Sequence, residues 1–250
     1  MKKAIAFIGS CRGNNSHTFT FTKLILDSLV KVSNNTIEYE IITSEDLKFN
    51  FCKGCCYCFI SGECQLDNYD EMYKIKEKFI NADIIILGSP VYAHSISSST
   101  KLFIDRTSSW FHLFKLNNKI SFSVSTSSTN GNIFVDNYLK KILEMYGTTF
   151  VNTFSCTTDT PACLRNDNFI NIKIPKYAQQ IYNALTNPDY FKSTSIQEEL
   201  FKSLKSAMIN SINKNIVTYE TEYWNNSGLL SCNTYQEYLT LKNKNLTSIL

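Results

Sequence analysis

The chain has 250 residues, of which 43% are hydrophobic and 13% aromatic, and its formal net charge at pH 7 is +3. A chain of this size can bury a substantial core, so we expect one ordinary domain plus an appendage. The charge is small and mixed in sign along the chain, which disfavours nucleic acid and membrane surfaces as partners. No segment reaches the roughly 18 consecutive apolar residues that span a bilayer. The nine cysteines are odd in number and clustered, which favours a reducing, cytoplasmic location.

Five short apolar runs alternate with segments of helical periodicity, which predicts a parallel sheet. These runs are residues 4–8, 37–42, 84–87, 120–124 and 150–154. The first and third runs are continuously apolar, as expected of strands covered on both faces. The fourth run alternates apolar residues with serine, which predicts a strand that is less evenly covered.

Apolar residues at helical spacing follow each of the first four runs. The first predicted helix begins after Ser16. The second has Asp67 or Asn68 as its candidate N-cap. The third covers about residues 98–110, and the fourth ends at Gly147, where a left-handed residue would close it.

Another helix is predicted over residues 176–185, and an Asn-Pro pair then breaks the chain. This places a first domain at residues 1–186 and a helical C-terminal extension at residues 187–250. The extension carries an aromatic patch formed by Tyr219, Tyr223 and Trp224. We interpret the patch as packing against the parent domain, with a lid or a dimer arm as the alternatives.

Four cysteines within thirteen residues follow the pattern C-x2-C-x2-C-x5-C. They are Cys52, Cys55, Cys58 and Cys64. The two-residue gaps are typical of iron–sulfur ligation, whereas a structural zinc site usually has a second, distant Cys-x2-Cys pair. Zinc and a loop of reduced thiols both remain open as alternatives. Cys56 lies inside the run and could compete as a ligand.

The segment at residues 9–18 joins the first predicted strand to the first helix. In an open parallel sheet, ligands bind beyond the carboxyl ends of the strands. Hydroxyl groups of Ser10, Ser16 and Thr18, together with the amides of a helix start, suit an anion such as phosphate. Arg12 adds a guanidinium group that can bind two phosphate oxygens. The segment matches neither the dinucleotide-binding nor the P-loop pattern, and an ordinary capped turn is the alternative.

The loops after the third and fourth predicted strands, residues 88–97 and 125–132, are also rich in small residues and backbone donors. Tyr92 could lie against a planar ring. Asn130 and Gly131 would let the chain pass close to the edge of such a ring and present amides to its carbonyl oxygens. Together the loops predict a slot for a flat ring with polar edges.

Three motifs, spread over residues 1 to about 155, resemble those of one known family. They are Gly9-Ser10-x-Arg12 with Ser16-x-Thr18, Gly88-Ser89-Pro90-Val91-Tyr92 followed by Lys101-x-Phe103-Ile104-Asp105-Arg106, and the four-cysteine run before Asp70-Glu71-Met72. The chain resembles the NADPH-dependent FMN reductase branch of the flavodoxin-like family, and more narrowly the iron–sulfur flavoproteins.

The resemblance implies an α/β, flavodoxin-like three-layer sandwich with a five-stranded parallel sheet in the order 2-1-3-4-5 and a helical C-terminal extension. It implies that the FMN phosphate is held by Ser10, Arg12, Ser16, His17 and Thr18. It further implies that the isoalloxazine ring lies along Pro90, Val91 and Tyr92, with Thr126, Ser127, Ser128, Asn130 and Gly131 at its edge. Lys101, Asp105 and Arg106 would have structural or dimer-forming roles, and the protein would form a homodimer or another homo-oligomer.

The leading hypothesis is an FMN-dependent NAD(P)H oxidoreductase that passes electrons to a small molecule or a redox protein. Because the flavin would carry the chemistry, no catalytic side chain is required, although His94 stays open as a proton donor. One alternative is an electron-transfer protein with a 4Fe-4S cluster at the cysteine run. The other is a redox or metal sensor, which the fold alone does not exclude.

Overall fold

The computed structural model describes residues 1–45 and 48–247, with side chains described up to residue 243. Five parallel strands form one sheet in the order β2-β1-β3-β4-β5, as predicted. The strands are β1 Lys2–Ile8, β2 Ile37–Thr43, β3 Ile84–Pro90, β4 Ile120–Ser127 and β5 Thr149–Thr157. β1 lies between β2 and β3, and all of its residues from Ala4 to Ile8 are buried, which explains its continuously apolar sequence.

Helices cover both faces of the sheet and give the three-layer architecture. They are α1 His17–Val32, α2 Tyr57–Ser61, α3 Met72–Asn81, α4 Ser98–Arg106, α5 Ser109–Leu113, α6 Asn132–Met145 and α7 Ile174–Thr186, followed by α8 Ser195–Asn213, α9 Tyr219–Ser227 and α10 Tyr235–Thr247. The apolar stripes of α1 and α7 pack on one face of the sheet. Those of α3, α4 and α6 pack on the other face. Among the described residues, no helix is both long and apolar enough to cross a bilayer.

Helices α8 to α10 form the predicted helical extension and build a third hydrophobic core. The parent domain contributes Phe114, whose ring stacks on Tyr235 with centroids 4.3 Å apart. The indole N–H of Trp224 donates to the backbone oxygen of His112 at 2.7 Å, and Trp224 is fully buried. The interpretation of this aromatic residue as packing against the parent domain is therefore confirmed.

The single helix predicted over residues 98–110 is wrong, because the structure divides it into α4 and α5. Thr107 lies at the break, and its hydroxyl group donates to the carbonyl of Phe103 at 2.8 Å. The same hydroxyl lies 2.5 Å from the hydroxyl of Tyr146, in a fully buried contact. The residue at the break therefore has a partner that is distant in sequence.

The prediction that the fourth strand is less evenly covered is also wrong, because all eight residues of β4 are buried. Its serines find partners in or beside the neighbouring strand. Ser121 Oγ lies 2.6 Å from Thr148 Oγ1, and Ser123 Oγ donates to Thr153 Oγ1 at 3.0 Å. The alternation thus marks buried hydroxyl pairs, which satisfy polar groups inside the core.

Neither Asp67 nor Asn68 caps α3, so that prediction is wrong as well. Both lie in a short 3-10 turn that precedes the helix. The carboxylate of Asp70 accepts a hydrogen bond from the first helical amide, that of Met72, at 3.0 Å. Asp67 is instead paired with Lys76 at 2.6 Å and with a buried arginine described below.

Candidate functional site

The loop between β1 and α1 turns sharply at the carboxyl edge of the sheet. Gly13 has φ +49°, a conformation that favours glycine, and opens a short 3-10 turn. Ser16 caps α1, because its hydroxyl accepts the amide of Phe19 at 3.1 Å. His17 and Thr18 are the first two residues of α1, so their amides have no acceptor within the helix. These free donors at a helix start suit an anion.

The side chains of this loop differ in their accessibility. Ser10, Ser16 and Thr18 are buried, whereas Arg12 and His17 are exposed. Among the residues that the structure describes, the hydroxyl of Ser10 accepts one long hydrogen bond of 3.4 Å, from the amide of Arg12, so it retains capacity for another partner. The arrangement fits a phosphate that is approached by buried hydroxyls from the protein side and by a guanidinium from the solvent side.

Sequence reasoning missed one carboxylate at this loop. A Cβ atom placed on Gly13 would lie 1.6 Å from Glu45 Oε2, so the Glu45 side chain lies directly against the turn. The strand register places Ile8 opposite Thr43, which carries the ends of β1 and β2 to the same edge. The position of Glu45 just after the second predicted strand is the sequence signal that could have identified this neighbour.

Helix α4 packs directly onto the end of β1. A Cβ atom on Gly9 would lie 2.0 Å from Thr100 Oγ1 and 2.6 Å from its backbone nitrogen. The hydroxyl of Ser97 donates to the Gly9 carbonyl and accepts the Thr100 amide. Ser89, at the end of β3, accepts the Ser97 amide at 2.9 Å. The start of α4 is thus bonded to two adjacent strand ends.

The loop after β3 begins at the buried residue Pro90 and continues into a tight hairpin. The amide of Tyr92 donates to the Ser95 carbonyl at 3.0 Å, and the reverse bond is 2.9 Å. The two central residues, Ala93 and His94, have φ +49° and +56°. This left-handed pair is uncommon for residues other than glycine and leaves the Tyr92 ring 52% exposed at the edge of the sheet.

The loop after β4 joins this hairpin. His94 Nε2 lies 3.0 Å from Asn130 Oδ1. Gly131 has φ +88°, and a Cβ there would lie 2.8 Å from the His94 ring and 2.9 Å from Val91. The amide of Val91 also donates to the Thr126 carbonyl at 2.8 Å. The structure therefore brings the second and third predicted loops into contact.

The first loop is tied to the third by a single hydroxyl pair. Thr18 Oγ1 lies 2.6 Å from Thr126 Oγ1, and both residues are buried. The predicted phosphate residues and the predicted ring-edge residues are thus adjacent across the sheet. Ser128 is exposed, and its carbonyl accepts the amide of Asp159 at 3.1 Å, whereas Ser127 donates to Asn132 Oδ1 at 2.5 Å. Asn132, the first residue of α6, therefore supports the start of this loop through its contact with Ser127.

Sequence reasoning also missed Asp136, which supports the third loop from below. The hydroxyl of Ser125 donates to Asp136 Oδ1 at 2.5 Å and accepts from Asn132 Nδ2 at 2.8 Å. Burial raises the pKa of Asp136, while hydrogen bonds from Ser125 and Ser155 oppose that shift. The helical position of Asp136, one turn into α6, gave no sign of this partner.

The cysteine run forms a surface loop around the short helix α2. Cys52, Cys55 and Cys56 are exposed, whereas Cys58 and Cys64 are half-buried. The amide of Gly54 donates to Cys52 Sγ at 3.5 Å. Burial raises the pKa of the Cys58 thiol, the Ser109 hydroxyl opposes this shift, and the charges of Cys64 and Cys52 add to it. The charges of two other predicted ligands, Cys52 and Cys64, therefore act on Cys58.

The thiols do not form a ready metal site in this conformation. Across residues 1–45 and 48–247, no group of three or more His, Cys, Asp or Glu side chains has the geometry to hold a metal ion. Four thiolates are chemically suited to a soft metal or an iron–sulfur cluster. Their donor chemistry therefore fits such a centre, but the geometry shown here does not.

Arg106 anchors both ends of the cysteine loop, and its side chain is completely buried. Its guanidinium donates to the Asn50 carbonyl at 2.8 Å, to Asp70 Oδ2 at 2.6 Å and to Asp67 Oδ1 at 2.6 Å. Burial alone would raise the pKa of Asp70. The hydrogen bonds from Arg106, Asn50 and Met72 outweigh burial and lower this pKa to about 2. Arg106 thus has the structural role that the resemblance implied.

A five-stranded parallel sheet in the order 2-1-3-4-5, with its polar loops joined at the carboxyl edge, defines a flavodoxin-like protein. Residues 2–160 match the model of the NADPH-dependent FMN reductase family, and the chain belongs to that family. It is accordingly a flavodoxin-like member of the NADPH-dependent FMN reductase family.

Curated proteins also resemble part of the chain. An iron–sulfur flavoprotein from Archaeoglobus fulgidus is 32% identical over 149 residues, which cover 58% of this chain and 64% of the relative. One from Methanocaldococcus jannaschii is 36% identical over 131 residues, covering 52% of this chain and 64% of the relative. The chain therefore matches just under two thirds of the length of these relatives.

Solved structures show the shared fold. An NADH:FMN oxidoreductase in its apo form superimposes with a TM-score of 0.57 at 19% identity, covering 77% of this chain and 95% of that one. RosB, with a bound riboflavin phosphate derivative, superimposes with a TM-score of 0.56 at 13% identity, covering 86% and 88%. At these identities the similarity concerns the fold alone.

Proposed function

We propose that this protein is an FMN-dependent oxidoreductase that takes electrons from NAD(P)H and passes them to a small-molecule acceptor or a redox protein. The observation that carries the proposal is the contact among the three loops at the carboxyl edge of the sheet. The Thr18–Thr126 hydroxyl pair joins the start of α1 to the loop after β4, and the His94–Asn130 contact joins that loop to the one after β3. Membership of the FMN reductase family supports the same ligand.

The residues present fit FMN. The free amides of His17 and Thr18, the hydroxyl of Ser10 and the guanidinium of Arg12 would bind the phosphate. The segment Pro90-Val91-Tyr92 would lie along the ring, and the backbone of residues 126–131 would bind its polar edge. When bound, the flavin would supply the hydride and single-electron chemistry, so we assign no catalytic side chain. The loops of the protein bind and orient the ring.

The first test is Arg12→Ala, measured as the dissociation constant for FMN. Hydrogen bonds to charged groups contribute about 1.5 to 3 kcal/mol, so we expect binding to weaken roughly tenfold or more. Lys31→Ala is the matched control, because it removes the same charge from the opposite end of α1. Equal affinities for the two variants would remove Arg12 from the phosphate site.

A second candidate function is electron transfer through a 4Fe-4S cluster at Cys52, Cys55, Cys58 and Cys64. It is supported by the four-thiol donor set, by the charges of Cys52 and Cys64 that act on Cys58, and by the names of the curated relatives. Protein purified without oxygen should then contain about four irons and acid-labile sulfide per chain. Cys55→Ser should abolish cluster binding and retain flavin. No iron after anaerobic reconstitution would leave a plain FMN reductase.

A redox or metal sensor remains a third proposal, in which the cysteine loop is the detector. Steady consumption of NAD(P)H by the purified protein with an acceptor would argue against a pure sensor. We also propose, from the family resemblance, that the protein acts as a homo-oligomer.

A further inference from the structure

The C-terminal extension reaches the cysteine loop through α9. Gly62 ends α2 with φ +82°, and the Tyr219 ring lies directly over it. A Cβ atom on Gly62 would lie 2.5 Å from the Tyr219 ring. Tyr219 and Gly62 therefore fit closely together, and no space remains for a side chain at residue 62.

A second contact passes through α5, which lies between the cysteine loop and α9. The rings of Phe59 and His112 have centroids 4.7 Å apart. His112 Nδ1 lies 2.8 Å from Glu220 Oε1, and Glu220 is only 9% exposed. Phe59 follows Cys58 directly, so this chain of contacts ends beside one of the half-buried thiols.

The α9 helix itself is firmly held, which allows it to restrain a neighbour. The buried ring of Trp224 packs in the third core, and its N–H binds the His112 carbonyl at 2.7 Å. Lys115 donates to the Tyr219 hydroxyl at 3.3 Å and lies 4.9 Å above the Tyr223 ring. The cysteine loop, by contrast, has three exposed cysteines and a short helix without buried residues.

We propose that the C-terminal extension is a brace for the cysteine loop, with Tyr219 on Gly62 and Glu220–His112–Phe59 as its two contacts. Arg106 fixes the two ends of the loop, and the brace fixes its middle. Tyr219, Glu220 and His112 are then positioning residues for the thiols. The two residues that the extension contributes, Tyr219 and Glu220, lie beyond residue 160, where the match to the family ends. The proposal concerns the position of the thiols, whether or not they hold a metal.

The test is the rate at which each thiol is alkylated by iodoacetamide, followed by mass spectrometry. The 250-residue chain is used, fully reduced and with iron removed. Cys232 is the internal reference, because it lies in the core of the extension with 1% exposure and reports any loosening of the extension itself. The measured quantity is the ratio of the Cys58 rate to the Cys232 rate.

Tyr219→Ala and His112→Gln each remove one contact of the brace. We expect either variant to raise the Cys58 to Cys232 ratio roughly tenfold, because reactivity follows the population of locally open states. Tyr190→Ala is the matched control, since Tyr190 is 40% exposed and adjoins Phe191, which packs on the opposite face of the sheet. An unchanged ratio in both variants, or an equal rise in the control, would overturn the proposal.

Discussion

Arg106 binds two carboxylates and a carbonyl with no exposure of its side chain to solvent. Replacing it by Met would leave Asp70 without its cation and Asp67 with Lys76 alone, in a largely buried environment. We expect the free energy of unfolding to fall by about 3 to 5 kcal/mol, the usual effect of breaking a buried pair. Urea unfolding measures this change.

Lys101→Met is the control for Arg106, because it removes a cation from the same helix. The Lys101–Asp105 pair is exposed, with side-chain accessibilities of 49% and 41%. Such pairs contribute about 0 to 1 kcal/mol. Similar losses in the two variants would mean that Arg106 acts as a surface charge.

The lowered pKa of Asp70 predicts how the stability of the folded protein changes at acid pH. It lies at about 2 in the folded protein, below the ordinary value of 3.8, so the carboxylate stabilises the fold fully above pH 4. As the pH falls from 4 towards 2, the unfolded state binds the proton first and this stabilisation is lost. Thermal unfolding of Asp70→Asn should therefore depend less on pH across this range than that of the parent protein. The same dependence of the unfolding temperature on pH in the two proteins would contradict the lowered pKa of Asp70.

At the scale of the element, α4 connects the two candidate sites. Its first turn is bonded to Gly9 in the anion-binding loop, and its last residue, Arg106, holds the cysteine loop. A displacement of this helix would therefore be felt at both sites. The connection is through rigid contacts at each end of a helix of nine residues.

Gly9→Ala tests this connection. The new methyl group would meet the backbone of Thr100 and force α4 to move, which we expect to lower the free energy of unfolding by about 1 to 3 kcal/mol. Gly88→Ala is the matched control, because the atoms nearest its methyl group are side-chain atoms, the end of Ile8 at 2.4 Å and Thr18 Cγ2 at an ordinary 3.4 Å, and not backbone. Chemical denaturation should show the larger loss for Gly9→Ala, and the reverse order would mean that α4 adjusts freely.

At the scale of the whole molecule, the extension and the parent domain share a core around Phe114. Gln197 on α8 also donates to the Glu144 and Thr148 carbonyls at 3.0 and 2.9 Å. We therefore expect the two parts to unfold together. The two tryptophans report them separately, because Trp110 lies in the core of the parent domain and Trp224 in that of the extension.

This expectation can be measured with the single-tryptophan variants Trp110→Phe and Trp224→Phe. In each, the fluorescence of the remaining tryptophan and the far-UV circular dichroism should give the same denaturant midpoint, as in a two-state transition. An earlier fluorescence transition in Trp110→Phe, where only Trp224 remains, would show that the extension unfolds independently.

The positions of the strands could be predicted because short apolar runs record burial in the sheet, whereas the sheet order came from the resemblance to the flavodoxin-like family. The three candidate binding loops could be located because each follows a strand, and strand ends meet at one edge. The features that escaped prediction depend on partners far along the chain. Thr107 is paired with Tyr146, and Asp67 with Arg106, and no local pattern announces either contact.

The site was predicted less completely than the fold for a similar reason. Residue types indicated which loops bind, but the left-handed backbone of Ala93 and His94 and the support from Asp136 arise from tertiary packing. Glu45 lies against Gly13 because the register of β1 and β2 brings it there. The roles of the individual predicted residues in binding remain predictions.

The position of Phe114 has a consequence for how the molecule can be divided by engineering. Phe114 belongs to the segment between α5 and β4, yet its buried ring packs among side chains of α8, α9 and α10. If residues 187–250 were grafted onto a relative, their apolar core would contain an open cavity, because the Phe114 ring that fills it would not be transferred. A unit that can be transferred with a complete core must include α5 and Phe114 as well. It is therefore larger than the contiguous C-terminal segment.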